Sequence, residues 1–131
     1  MIELEVLPQH LDTLSPRDWD SLFKFILEIE RTQVFEESEI VSKTVRAISE
    51  LRINPAFDWM AWKEGEAMVS SRNYDYSQLD IITLCKLLAA IIRADRFTEG
   101  FLRASFSNGT MLKILNALKN NVDGANFPDA V

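Results

Sequence analysis

The sequence predicts an all-α fold: an irregular bundle of about six helices around a central apolar helix over residues 81–95, with at most one short N-terminal strand pair. Three observations predict it. Between Ile81 and Ile92 only Thr83 and Lys86 are polar, the composition of a helix contacted from several sides. Helix start and stop signals recur along the chain, from Ser15-Pro16 to Asn108-Gly109. The length, 131 residues with 47% apolar and 26% charged side chains, suits one globular domain spanning 1–131.

The elements follow in order. Ile2, Leu4 and Val6 alternate with Glu3 and Glu5, a period-2 pattern that fits a half-buried strand, with residues 32–35 as its candidate partner. Five residues fit an extended arm equally well, so residues 1–14 are an arm or a short strand. Ser15 suits an N-cap, Pro16 the first helical position and Asp18 the positive end of the helix dipole. That helix runs to about Arg31 through Trp19, Leu22, Phe23 and Ile26, with Phe25 and Leu27 widening its apolar face. A second helix from about Ser38 to Arg52 buries Val41, Thr44, Val45, Ile48 and Leu51, and Asn54-Pro55 closes it.

Asp58 reads as the N-cap of a third helix, Trp59 to about Ser70, and Asp80 as the cap of the central helix. Thr98 and Glu99 open a short fifth helix ending at Asn108-Gly109, where Gly109 suits a left-handed C′ position. A last helix runs from Thr110 to about Asn120, and 121–131 is a polar tail.

Charge and cysteine usage bound the function. The net charge of −6 argues against general binding to nucleic acid or anionic membrane, where basic patches supply the affinity. Residues 1–66 carry a net −7 and residues 67–131 a net +1, so the acidity is concentrated in the first half. The N-terminus lacks a signal-peptide pattern, and the longest apolar run is far short of the ~20 residues of a membrane span. A cytoplasmic location is expected. A single cysteine, Cys85, excludes an intrachain disulfide and suits a buried core position; with one histidine, the zinc patterns are missing and no metal or cofactor is expected.

A resemblance narrows the fold. Phe57-Asp58-Trp59 with Trp62, the run Leu87 to Gly100 ending in Ile92-Arg93-Ala94-Asp95-Arg96-Phe97-Thr98-Glu99-Gly100, and Gly109 before the last helix carry it. In these motifs the chain resembles a bacterial family of uncharacterised proteins, classed as a domain of unknown function. The likeness covers about residues 57–118, with a weaker match to the two preceding helices. Members often carry a polar β-hairpin before the second helix; here the passage from Val34 to Glu39 leaves it shortened or lost. The resemblance implies a helical fold and brings no known activity to carry over.

The candidate sites each have a plain structural reading beside the functional one. Arg93, Asp95, Arg96 and Glu99 could bind phosphate or carboxylate through guanidinium forks and the free N–H groups of the fifth helix. Alternatively, Asp95 and Glu99 pair with the arginines and brace a helix corner, Phe97 plugs the core and Gly100 allows close packing; this weighs more. Trp59 and Trp62 could form a ligand platform, although aromatic residues at this spacing are more often core. Glu28, Glu30, Glu36, Glu37 and Glu39 form an acidic patch, a docking surface for a basic partner or simply a solvated face, with Arg31 as the only cation inside the segment. His10 with Asp12 and Ser15 lacks the glycine-rich elbow and oxyanion hole of a hydrolase triad. No catalytic constellation emerges. The leading expectation is a non-enzymatic module that binds another protein, with homo-oligomerisation also open; the alternative is a small-ligand or phosphate-binding domain, enzymatic or not, centred on Arg93 and Arg96.

Overall fold

The computed structural model describes residues 2–36 and 38–126, and for Ala125 and Asn126 the backbone only. Mostly helical as expected, it runs β1 (Ile2–Glu3), α1 (Leu7–Leu11), α2 (Pro16–Phe23), α3 (Phe25–Arg31), α4 (Glu39–Leu51), β2 (Pro55–Ala56), α5 (Lys63–Ser70), α6 (Ile81–Ala94), α7 (Phe101–Ser107) and α8 (Thr110–Asn126). Short 3₁₀ turns at Trp59–Ala61 and Tyr76–Gln78 precede α5 and α6.

The caps predicted at Ser15 and Asp80 hold, whereas α7 begins at Phe101 after Gly100 with no side-chain cap, so the cap expected at Thr98 does not form. Ser15 and Asp18 form a reciprocal capping box, with the Asp18 N–H donating to Ser15 Oγ at 3.2 Å and the Ser15 N–H donating to Asp18 Oδ2 at 2.8 Å. Asp80 accepts the Thr83 N–H at 2.8 Å and so starts α6. Gly109, at φ +87°, closes α7 as its position implied. The helix expected across 16–31 is interrupted only at Lys24, which keeps helical dihedrals (φ −60°, ψ −21°) in a tightened step between α2 and α3. Leu27 does not join the apolar face; it is exposed.

Several further expectations are corrected. The strand at the N-terminus is two residues long, and its partner is not 32–35: Ile2 and Glu3 pair in parallel with Pro55 and Ala56. Residues 7–11, expected as arm, form α1, because Pro8 occupies an early helical position where its missing N–H costs nothing. Its His10 Nε2 lies 2.7 Å from the Leu51 carbonyl, satisfying an orphan acceptor at the end of α4 and tying the two helices together. The last helix runs on to Asn126, so the polar tail is helical over 121–126; 127–131 lies outside the described residues. The remaining correction, at Asp58, belongs to the site and is given below.

The core is a sandwich of α6 against α8, closed by α2, α3, α4 and α7. On α6, Leu84, Cys85, Leu87, Leu88 and Ile91 are buried; on α8, Met111, Ile114, Leu115, Leu118 and Val122 repeat at i, i+3, i+4, i+7 and i+11. Burial pushes the Cys85 thiol pKa up to about 12, and the negative charge of Asp80 adds to the effect. The thiolate is the reactive form, so native Cys85 should react with a thiol reagent at least about a thousandfold more slowly than the denatured chain. Equal rates in the two states would place Cys85 at the surface.

Candidate functional site

Where α5 approaches the end of α6, an apolar cleft of about 250 Å³ opens to solvent. One wall is Trp59, Met60, Trp62 and Val69, with Gly65 and Glu66 between them. The opposite wall is Ala90, Ile91 and Ala94 of α6, continued by Phe97, Thr98 and Phe101. The lip is apolar and exposed: Met60 is 53% and Phe97 69% exposed, and Phe97 leans on Trp59 with ring centroids 5.9 Å apart.

The local backbone explains this wall. Asp58, expected as the N-cap of a helix from Trp59, makes no capping bond. The chain instead forms a 3₁₀ turn over Trp59–Ala61, and Trp62 leaves the helical region at ψ 83° before α5 begins. That departure lets the Trp62 indole fold back over Gly65, where an added Cβ would stand 2.3 Å from Trp62 Cε3. The indole also meets Phe57 edge-on at 5.6 Å, and Lys86 Nζ sits 4.2 Å from its centroid. Trp59 and Trp62 are therefore half-buried cleft walls with one side toward solvent, where helical spacing alone favoured plain core.

The arginine cluster lies beside the cleft in sequence, but neither Arg93 nor Arg96 lines it. Arg93 is half-buried and Arg96 exposed. Burial and then the positive charge of Arg96 pull the Arg93 pKa below its ordinary value. The pairing expected of Arg96 and Glu99 is not seen. Ion pairs among the described residues join Lys43–Glu39, Lys63–Glu66 and Lys119–Asp123, and none includes Arg96 or Glu99. Asp95 instead accepts the Leu102 N–H at 3.1 Å, so a carboxylate already occupies the start of α7 where an anion was expected to dock. Phe97 does not plug the core, and Gly100 has no close neighbour; it serves its turn through φ +87°.

The glutamates Glu28, Glu30, Glu36 and Glu39 are exposed, as a solvated face requires; Glu37 lies outside the described residues. Arg103 of α7 borders one hollow with Glu36 and another with Glu39, a cation that sequence distance concealed. Among the described residues no group of three or more His, Cys, Asp and Glu side chains is placed to hold a metal, and no helix is long and apolar enough to cross a membrane.

Met60, Gly65, Phe97 and Phe101 escaped the sequence reading as site residues. Gly65 carried a signal, because a glycine inside a helix costs about 1 kcal/mol relative to alanine and calls for a packing reason. Phe97 carried none, since nothing local separates an exposed phenylalanine from a buried one.

No curated protein and no solved structure gives a significant match to this chain. A family model described as a family of unknown function, DUF6508, matches residues 14–124, from the residue before the Ser15 cap through most of α8 and including the whole cleft. The chain belongs to that family.

Proposed function

We propose that the protein is a non-enzymatic interaction module and that the cleft between α5 and the end of α6 receives a side chain of a partner protein. One observation carries the reading: two large apolar side chains, Met60 and Phe97, stand exposed at the lip of a cleft whose walls are almost wholly apolar. Exposed aromatic anchors beside a pocket are the usual makings of an interface hot spot.

The size of the cleft suits a single side chain. Dedicated ligand pockets run to roughly 300–1,000 Å³, and this one holds about 250 Å³, room for one large side chain. Phosphate binding at the arginines is disfavoured by the Asp95 carboxylate at the start of α7. A bacterial cytoplasmic setting suits a chain whose one cysteine is free and buried.

The test is affinity enrichment from the native host with wild type and Phe97→Asp as paired baits. Phe97 is exposed, so the substitution should leave the denaturation midpoint nearly unchanged while reducing recovery of the partner by about tenfold or more. Equal recovery on both baits of every protein enriched by wild type would reject the cleft as the docking site.

A further inference from the structure

The cleft's polar content indicates what the docked segment carries. Among the described residues that line it, Glu66 is the only one with a charged side chain. Its contact with Lys63 spans 3.7 Å between side chains that are 79% and 69% exposed, the kind of ion pair that holds little energy and exchanges readily. At the lip, Trp59 and Phe97 form a tilted ring pair, 5.9 Å between centroids. The neighbouring rings already hold a cation: Lys86 Nζ lies 4.2 Å from the Trp62 centroid and 5.0 Å from that of Phe57. Aromatic faces attract ammonium and guanidinium groups, and the long stems of lysine and arginine cover apolar surface while their ends stay polar.

We infer that the partner presents a basic segment, with an arginine or lysine stem lying along Trp59 and Phe97 and its charged end at Glu66. This rests on the cleft being the docking site. An acidic segment would bring a carboxylate against Glu66 in a half-closed apolar space, and a neutral one would leave Glu66 partly desolvated without a new partner. The net charge of −6 acts in the same direction at longer range, steering cationic surfaces toward the chain.

The probe is a random short-peptide library, selected in parallel on wild type, Glu66→Gln and Phe97→Asp. On wild type, arginine and lysine should be enriched about two- to fivefold over their library frequency beside an apolar residue, as a rim charge pair allows. On Glu66→Gln that enrichment should disappear while the apolar preference stays. Wild-type binders with no basic enrichment, or the same enrichment on Glu66→Gln, would overturn the cationic inference and leave the docking site standing. Selected peptides that bind wild type and Phe97→Asp equally, or a selection that yields no binders, would overturn both.

Discussion

Leu88→Ala should lower the unfolding free energy by about 2–5 kcal/mol. Leu88 is fully buried at the middle of α6, which packs against α8, α7 and β2. Truncation removes the transfer energy of the lost carbons and leaves a void that surrounding side chains fill only in part. The burial of Leu84, Leu87 and Ile91 around it leaves little room for collapse, which favours the upper part of the range. Denaturant melts with an unchanged slope give the value directly. A loss under about 1 kcal/mol would mean that α6 is not enclosed.

Gly65→Ala should also destabilise, against the helix-propensity trend. In an open helix the change would gain up to about 1 kcal/mol. Here the new methyl group would stand 2.3 Å, 2.5 Å and 2.6 Å from Trp62 Cε3, Cζ3 and Cδ2. Phe57 and Lys86 contact the same indole and limit its retreat. Overpacking of this kind costs about 1–3 kcal/mol, so a net loss of about 1–2 kcal/mol is expected. Tryptophan fluorescence should shift as well, because Trp62 must turn while Trp19, buried against Phe23, keeps its surroundings. A stabilised variant with unchanged emission would show that the indole does not pack over Gly65.

What was legible in the sequence were features set by local chemistry. The capping box at Ser15, the Asp80 cap, the Gly109 C′ position and the apolar run of α6 each depend on neighbours within about one turn. The wrong strand partner has the opposite cause. Pairing Ile2 with Pro55 spans more than fifty positions, and no periodicity reports which distant segment closes the edge. The aromatic residues show the same division. Trp59 and Trp62 were visible as a pair, but their exposure depends on Trp62 leaving the helix and on Phe97 arriving from the far end of α6. Arg93 and Arg96 are prominent in the motif, while Ala94, Phe97 and Thr98 of the same stretch line the cleft.

Site-specific photo-crosslinking locates the docking surface directly. A photoreactive phenylalanine analogue replaces Phe97 or Met60, or, as controls, the equally exposed Leu27 or Val34 far along the sequence. One protein of the native host should crosslink from both Phe97 and Met60, the controls should not capture it, and a cleft-disrupting Gly65→Ala background should reduce the yield. Capture of the same proteins from all four positions, or from the controls alone, would move the binding surface away from the cleft.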